Sequence, residues 1–287
     1  MSDGAVWMDG VLTSAQAARV SVFDRGFLYG DSAFEVMRTY GKRPFREQAH
    51  ITRLRLSCER LLIALPLDDR QLSEIISSTI AASKLPECYV RVMVTRGVGP
   101  MNIDMAQANH PCVLVFALTL HPLTTSVYEN GIAVGLSRAA RATDGTRATG
   151  AKTSNYLGSV LALHEVKQRG CQEALILGPS GEVIEGATSN VFIVRDGELI
   201  TPPIDAGILA GITRKTVLDL AASLTLPVRE TQLHPSDLYR ADEVFITSTV
   251  REVVPVVRVD DKVISDGRPG PITQRVLVAY RAQTAEE

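Results

Sequence analysis

A lysine and a glutamate stand in two short segments that could together serve carbonyl chemistry. Lys152 lies in the run Ala-Lys-Thr-Ser-Asn-Tyr-Leu at 151–157, and Glu185 begins the run Glu-Gly-Ala-Thr-Ser-Asn at 185–190. A lysine amine forms a Schiff base with an aldehyde, and the aldehyde cofactor pyridoxal phosphate (PLP) needs such a lysine and a partner for its ring nitrogen. A carboxylate such as Glu185 would keep that nitrogen protonated, because a nearby opposite charge favours the charged form. The pair indicates a candidate PLP site with Lys152 as its attachment point.

Three further segments offer donors to a phosphate group, which carries roughly two negative charges at neutral pH. Arg53 offers a planar guanidinium that can bind two phosphate oxygens together. The segment Gly211-Ile212-Thr213 precedes a predicted helix, where free backbone N–H groups and the helix dipole favour an anion. Thr213 could also serve as the N-cap of that helix. Thr247-Ser248-Thr249 ends a predicted strand with three hydroxyl groups that can donate to phosphate or carboxylate oxygens.

The elements that must position these residues follow from the spacing of apolar side chains. Apolar residues at helical spacing predict a helix from Glu47 to Leu65, which carries Arg53, and a second helix after Asp68-Asp69. Runs rich in Val and Leu predict strands at 89–95 and 112–120. Periodicity then stops at 121–126, where turn-forming residues predict a domain linker.

Beyond the linker, strands and helices mix. Alternation and turn residues predict strands at 131–137, 173–177 and 243–247, and helices at 156–168, 213–224 and 271–282. Asp196-Gly197, between two apolar runs, predicts a β-hairpin.

Bulk composition excludes several classes of protein. The chain has 287 residues, 45% of them hydrophobic and 22% charged, with a formal net charge of -2, so nothing predicts a nucleic-acid partner. Its longest apolar run, Cys112 to Leu118, is too short to span a bilayer, and the polar start lacks the features of a signal peptide. The four cysteines are scattered without a C-x-x-C pair. We therefore expect reduced, mostly buried thiols, no metal site and a cytoplasmic protein.

These motifs resemble the fold-type IV PLP enzymes, a family that includes branched-chain aminotransferases, D-amino-acid aminotransferases and aminodeoxychorismate lyases. The resemblance extends from Asp24 to near Ile272. Besides the segments around Lys152 and Glu185, it rests on six blocks in the family's order: Asp24-Arg25-Gly26, Tyr29-Gly30-Asp31, Phe34-Glu35-Val36-Met37-Arg38, His50-x-x-Arg53-Leu54, Leu209-Ala210-Gly211-Ile212-Thr213-Arg214 and Thr247-Ser248-Thr249. It implies an α+β fold with a small α/β N-terminal domain at 1–120, a linker at 121–126 and a larger C-terminal domain at 127–287. The larger domain would contain a β-barrel-like sheet and most of the PLP contacts.

The resemblance also assigns roles to individual residues. Lys152 would be the catalytic residue. The residues implied to bind the cofactor are Arg53, Lys152, Tyr156, Glu185, Leu209, Ile212, Thr213, Ser248 and Thr249. The residues implied to bind the substrate are Tyr29, Phe34, Arg38, Tyr89, Arg91 and Val250. Tyr156 departs by one residue from the spacing of the branched-chain enzymes, and Arg38 could instead be a structural ion-pair partner.

The resemblance favours a transaminase over the other reactions of the family. Phe34 is followed by Glu35, as in the aminotransferases, whereas the lyases have a hydroxyl residue there. Tyr89-Val90-Arg91 is similar to the Tyr-x-Arg of branched-chain enzymes. We therefore expect the amino group of a hydrophobic or branched-chain amino acid to move to 2-oxoglutarate by a ping-pong Schiff-base mechanism, with the freed Lys152 amine as general base.

Other activities stay open at this point. Val36 stands where branched-chain enzymes have glycine, and Val36-Met37-Arg38 resembles D-amino-acid and (R)-amine aminotransferases. An aminodeoxychorismate lyase is the next alternative, and a PLP-binding module without turnover is the non-enzymatic one. The resemblance further implies a homodimer with shared active sites, in which the N-terminal block and the loop at 101–109 close the neighbour's site.

Overall fold

Six antiparallel strands form the sheet of the N-terminal half. The structure is a computed structural model and describes residues 3–139 and 144–286. The spatial order of the strands is β2-β1-β6-β5-β3-β4, and every neighbouring pair runs antiparallel. The strands are β1 (Gly4–Met8), β2 (Val11–Ser14), β3 (Ser32–Tyr40), β4 (Arg43–Pro44), β5 (Cys88–Thr95) and β6 (Cys112–Thr119).

Two helices cover one face of this sheet. They are α2 (Glu47–Leu61) and α3 (Asp69–Ser83), and the short α1 (Arg25–Tyr29) precedes β3. Successive side chains of a strand point to opposite faces. On β5, Cys88, Val90, Val92 and Val94 join the buried core with α2 and α3. Tyr89 and Arg91 are half-buried and belong to the opposite face, so the alternation of β5 separates the core from the candidate substrate residues.

The helix predicted at 47–65 ends earlier, at Leu61. Leu62 adopts a left-handed conformation, with φ of 56°, and its N–H donates to the carbonyl of Glu59. The N–H of Ile63 donates to the carbonyl of Cys58, which closes the helix. The prediction was too long because Leu65 continues the apolar spacing. The second helix begins as predicted, with Asp68 and Gln71 forming a reciprocal capping box.

Nine strands form the sheet of the C-terminal half. Their order is β12-β11-β10-β13-β14-β7-β8-β9, and β15 pairs with β14. The pairs β11/β12, β14/β7 and β7/β8 are parallel, and the others are antiparallel. The strands are β7 (Ile132–Ser137), β8 (Glu173–Leu177), β9 (Val183–Gly186), β10 (Asn190–Arg195), β11 (Glu198–Thr201), β12 (Val228–Glu230), β13 (Glu243–Ser248), β14 (Glu252–Val259) and β15 (Lys262–Val263). The predicted hairpin joins β10 to β11, and both Asp196 and Gly197 have positive φ, as a two-residue turn of this type requires.

Helices pack on this second sheet. They are α4 (Thr125–Asn130), α5 (Leu157–Lys167), α6 (Ile212–Ser223), α7 (Pro235–Tyr239) and α8 (Pro271–Glu286). Ala162 and Val166 of α5 share a core with Ala174 and Ile176 of β8. The helices α6 and α8 contact each other, and both contact the sheet, α6 at β13 and α8 at β13 and β14.

The chain divides into two compact units, and the division differs from the predicted domains. Residues 3–121 and 145–155 belong to the first unit, and residues 122–139, 144 and 156–286 to the second. The sequence placed Lys152 in the C-terminal domain at 127–287. Backbone hydrogen bonds explain the difference, because the N–H of Phe34 donates to the carbonyl of Lys152 and the N–H of Ser154 donates to the carbonyl of Ser32.

Two general properties of the described residues bear on function. None of the helices in 3–139 and 144–286 is long and apolar enough to cross a membrane. All four cysteines are free, and Cys58, Cys88 and Cys171 are buried, so the prediction of mostly buried thiols is confirmed.

Candidate active site

Lys152 is held by its main chain in the first unit. Its carbonyl accepts from the N–H of Phe34 at 3.0 Å, and its own N–H donates to Ser57 Oγ at 3.1 Å. Its amine, Nζ, lies 4.6 Å from the centroid of the Phe34 ring. The nucleophile that the sequence predicted is therefore fixed beside β3 with its amine over an aromatic ring.

Arg91 lies against the same ring. Its guanidinium carbon is 3.9 Å from the Phe34 centroid, and the Phe34 side chain is buried. Phe34 and Arg91 come from the adjacent strands β3 and β5. The structure thus brings together the predicted nucleophile, an apolar surface and a cation that could bind a carboxylate.

Arg53, the predicted phosphate ligand, forms a buried ion pair with Glu35. Its Nε donates to Glu35 Oε1 at 2.6 Å, and its Nη2 donates to Oε2 at 2.7 Å. Burial alone would raise the pKa of the Glu35 carboxyl, but the charge and hydrogen bonds of Arg53, with those of His50, lower it far below its ordinary value. Glu35 is therefore ionised throughout the neutral range.

His50 completes this cluster. Its Nδ1 lies 2.8 Å from Glu35 Oε2, and because an ionised carboxylate only accepts, Nδ1 carries the proton. Burial lowers the pKa of His50, against the influence of Glu35, so the ring is neutral. Its Nε2 is buried and has no hydrogen-bond partner among the described residues.

The roles of Glu35 and His50 were missed in the sequence. His50 and Arg53 are three residues apart on α2, a spacing that places them on one helix face. That spacing was a usable signal for a shared partner. The identity of the partner, on a strand that precedes the helix, was not.

The other predicted substrate residues of the first unit lie on or near the same sheet. Arg38 is paired in register with Tyr89, and its guanidinium carbon lies 4.6 Å from the Tyr40 ring centroid. Tyr29 ends α1, and the guanidinium carbon of Arg25 lies 5.1 Å from its ring centroid.

Glu185 is fixed within the second unit by two donors. Its Oε2 accepts from the N–H of Leu209 at 3.0 Å and from Asn190 Nδ2 at 3.3 Å. Asn190 Nδ2 also donates to the carbonyl of Leu209 at 3.0 Å. The carboxylate predicted to hold a ring nitrogen is thus oriented by the segment whose Leu209 was predicted to pack on that ring.

The N-terminus of α6 is built for an anion. Gly211 is the N-cap residue, and no side chain caps this end of the helix. The alternative in which Thr213 is the N-cap is therefore wrong, since Thr213 lies inside the first turn and is buried. A Cβ on Gly211 would lie 1.9 Å from Asn190 Oδ1, so only glycine fits here. The first N–H groups of Ile212 and Thr213 lack an intrahelical acceptor by geometry and can bind phosphate oxygens.

The hydroxyl segment after β13 is held by an arginine that the sequence did not single out. Arg251 Nε donates to Ser248 Oγ at 3.1 Å, and its Nη2 pairs with the buried Glu173. Because Ser248 Oγ accepts from Arg251, its own proton is directed elsewhere and can be donated to a ligand. Thr247 Oγ1 is buried without a hydrogen-bond partner among the described residues.

The remaining predicted residues fall at the ends of elements. Tyr156 is the N-cap residue of α5 and is half-buried. Thr249 and Val250 lie in the turn between β13 and β14. No group of three or more His, Cys, Asp or Glu in the described ranges is placed to hold a metal.

Each of the two units offers donors that PLP requires. The first supplies an amine and a bidentate guanidinium, while the second supplies an oriented carboxylate, a helix N-terminus whose glycine admits no side chain, and a strand end rich in hydroxyl groups. These groups match an aldehyde, a ring nitrogen and a phosphate, so the residues fit this cofactor.

Comparison with known proteins identifies the family. The profile of the family described as amino-transferase class IV matches residues 32–259. The solved branched-chain amino acid aminotransferase of Escherichia coli is 34% identical, with a TM-score of 0.92, over 98% of this chain and 94% of that one. A second branched-chain enzyme, from the organism abbreviated T.th., was solved with N-(5'-phosphopyridoxyl)-L-glutamate. It is 31% identical, with a TM-score of 0.92, over 99% and 95% of the two chains.

Two further comparisons bear on the substrate. The T.th. enzyme was also solved with 4-methylvaleric acid. The D-alanine aminotransferase of Listeria monocytogenes is 33% identical to this chain, over 92% of this chain and 91% of its own length. The relatives therefore include enzymes named for branched-chain amino acids and for a D-amino acid.

These findings confirm the predicted α+β fold of type IV, the transaminase class and PLP as the cofactor. The chain belongs to the class IV aminotransferase family, whose members are PLP-dependent transaminases.

Proposed function

We propose that this transaminase takes the amino group from a hydrophobic or branched-chain amino acid and passes it to 2-oxoglutarate in two successive half-reactions. The observation that carries the proposal is the arrangement around Phe34. The buried ring lies 4.6 Å from Lys152 Nζ and 3.9 Å from the Arg91 guanidinium carbon. An apolar wall beside the reacting amine suits an aliphatic side chain, and the guanidinium suits a carboxylate.

Each predicted residue has a role in binding PLP or substrate. When bound, PLP supplies the aldehyde that takes up the amino group and the ring that draws electrons from the substrate α-carbon. Arg53, Ile212, Thr213, Ser248 and Thr249 would hold the phosphate, Glu185 the ring nitrogen, Tyr156 the phenolic oxygen and Leu209 one face of the ring.

The Lys152 amine has a second role as a general base. It removes the proton from the substrate α-carbon and returns it on the cofactor side, so it must be neutral for part of the cycle. Tyr29, Phe34 and Val250 would line the substrate side-chain pocket. Arg38, Tyr89 and Arg91 would recognise carboxylates.

The acceptor is inferred from the chemistry of a relative. The T.th. branched-chain enzyme was solved with a phosphopyridoxyl adduct of L-glutamate, the amino acid formed from 2-oxoglutarate. The 4-methylvaleric acid in its other complex has the carbon skeleton of leucine without the amino group. A single pocket that takes both an aliphatic chain and a carboxylate agrees with Phe34 and Arg91 lying in contact.

A D-amino-acid aminotransferase is the second candidate. It is favoured by the Listeria D-alanine enzyme, which is 33% identical, and by Val36, where the branched-chain enzymes that the sequence resembles have glycine. The (R)-amine aminotransferases share this distinguishing feature.

A donor panel decides between these activities. Purified protein with PLP is given L-leucine, L-valine, D-alanine, D-glutamate or (R)-1-phenylethylamine, each with 2-oxoglutarate and with pyruvate, and the amino products are quantified. We expect L-leucine and L-valine with 2-oxoglutarate to react fastest. A preference for D-alanine or for the amine would transfer the assignment to the second candidate. A spectrum that no donor changes would leave only a PLP-binding module, and pyruvate formed from aminodeoxychorismate without an acceptor would identify a lyase.

A homodimer in the cytoplasm is part of the proposal. The exposed apolar side chains of Phe27, Met101 and Ile103 lie in the segments predicted to face a neighbour. Sedimentation at micromolar concentration is expected to give a dimer, and a monomer alone would contradict it.

A further inference from the structure

Glu35 is a buried carboxylate for which the proposed reaction has no use. Its side chain is 1% exposed and lies on the α2 side of strand β3. It accepts from Arg53 Nε, Arg53 Nη2 and His50 Nδ1. A residue on β3 is thus the common acceptor of two donors on one helix face.

This arrangement fixes the plane of the Arg53 guanidinium. Two parallel hydrogen bonds, at 2.6 and 2.7 Å, define both the position and the rotation of the group. A single bond would leave the long arginine side chain several rotamers. A guanidinium has five N–H donors, so the pair with Glu35 does not exhaust its capacity to bind an anion.

His50 supports the carboxylate from a second direction. Its neutral ring donates from Nδ1 to Oε2, the same oxygen that accepts from Arg53 Nη2. Glu35 is therefore held independently of Arg53 and can serve as a fixed reference for it.

We propose that Glu35 is a positioning residue, which holds Arg53 in the orientation that binds the phosphate of PLP. The inference rests on the proposed function in one respect, the assignment of Arg53 as a phosphate ligand. Glu35 itself does not contact the cofactor in this proposal, and it acts only through Arg53.

A purely electrostatic role predicts the opposite sign. If Glu35 served only to neutralise Arg53, its removal would leave a more positive site, and PLP would bind more tightly. If Glu35 positions Arg53, its removal weakens phosphate binding although the site gains positive charge. The direction of the change therefore distinguishes the two roles.

The test compares two forms of the cofactor on full-length protein freed of PLP. PLP and pyridoxal differ only in the phosphate, and the dissociation constant of each is measured by titrating its absorbance. The variants are Glu35→Gln, Glu35→Asp, Arg53→Gln and the double variant of Glu35→Gln with Arg53→Gln. The matched control is Asp69→Asn, which removes the carboxylate that pairs with Arg55 on the same helix as Arg53. Thermal unfolding of each protein without cofactor shows that it is folded.

We expect Glu35→Gln to raise the dissociation constant of PLP by roughly tenfold to a hundredfold, the effect of hydrogen bonds to charged groups, and to leave that of pyridoxal unchanged. Adding Glu35→Gln to Arg53→Gln should have no further effect, and Asp69→Asn should behave as the parent. If Glu35→Gln does not fold, Glu35→Asp, which shortens the carboxylate, is expected to shift PLP alone in the same direction.

Three results would overturn the proposal: tighter binding of PLP, an equal loss for PLP and pyridoxal, or no change. If Arg53→Gln itself left the ratio of PLP to pyridoxal affinity unchanged, the phosphate assignment and with it the proposed site would fail. If Arg53→Gln lowers that ratio and Glu35→Gln does not, only the role of Glu35 is rejected.

Discussion

The backbone N–H of Phe34 donates to the carbonyl oxygen of Lys152 at 3.0 Å, so strand β3 fixes the main chain of the candidate nucleophile. The Phe34 ring also lies 4.6 Å from the Lys152 amine. One residue therefore sets both where the lysine enters the unit and what its amine contacts. An apolar neighbour disfavours the charged form of an amine, which is the form that cannot act as a base.

The first prediction concerns attachment of the cofactor. Lys152→Ala should abolish turnover, because it removes the amine that carries PLP and moves the α-proton. Borohydride reduction of the parent protein, followed by peptide mapping, should find the pyridoxyl group on Lys152. Lys215→Ala is the control, since Lys215 is exposed and pairs with Asp219 on the surface of α6. A normal rate in the first variant, or an adduct on another lysine, would end the mechanism.

The second prediction concerns the ring nitrogen. Glu185→Gln should retain PLP but slow transamination by roughly 10²- to 10⁴-fold, since the neutral amide cannot keep the ring protonated and proton transfer is weakened. The side chain keeps its shape and can still accept from the N–H of Leu209. Cofactor content is measured by absorbance and turnover by product formation. Glu198→Gln, at a surface pair with Arg229, serves as control. An unchanged rate would mean that another residue tunes the ring.

The third prediction concerns the glycine at the start of α6. Gly211→Ala should weaken PLP binding by roughly tenfold or more, because the new Cβ would lie 1.9 Å from Asn190 Oδ1 and displace the side chain that holds Glu185 and Leu209. The φ at this position is -64°, so the backbone itself admits alanine. The dissociation constant of PLP is measured by titrating its absorbance on protein freed of cofactor.

A suitable comparison for this variant is Gly197→Ala. Gly197 has positive φ in an open hairpin turn, so alanine there strains the backbone away from the site. It should lower stability and leave the dissociation constant of PLP unchanged. Equal affinity in Gly211→Ala and the parent would show that Asn190 can move without loss.

Local signals predicted the elements of this fold well. Asp196-Gly197 predicted the hairpin because only a few residues accept positive φ at both positions, and Asp68 predicted the start of α3 because its side chain caps the helix. The place of residues 145–155 in the first unit could not be predicted. It depends on main-chain pairing with β3, which leaves no pattern of side-chain types.

The candidate site shows the same limit. Lys152 and Glu185 were found because each chemical role demands one residue type. The partner of Arg53 was not found, because a guanidinium accepts any carboxylate that the fold presents, and Glu35 is eighteen positions away on another element. Arg251, which orients Ser248, was likewise visible only through its contacts with Glu173 and Thr188.

The last prediction concerns the pH dependence of stability through Asp31. This carboxylate accepts from Arg96 Nε at 2.7 Å and from Arg25 Nε at 3.0 Å, and Arg25 in turn donates to the carbonyl of Asn102 in the exposed loop at 101–109. Burial would raise the pKa of Asp31, but the hydrogen bonds and charges of Arg96 and Arg25 outweigh it and lower the pKa below its ordinary value of 3.8. A group whose pKa is lowered by folding stabilises the protein above its ordinary pKa, and that stability is lost as the pH falls further.

Asp31→Asn should therefore lower the free energy of unfolding by about 3 kcal/mol at neutral pH, because it leaves two half-buried guanidinium groups without their carboxylate. In urea titrations the difference from the parent should stay constant from about pH 8 to about pH 5 and shrink below about pH 4. Asp219→Asn, at an exposed pair, should change stability by less than about 0.5 kcal/mol at every pH. A difference for Asp31→Asn that persists undiminished in acid would show that this carboxyl is not ionised in the folded protein.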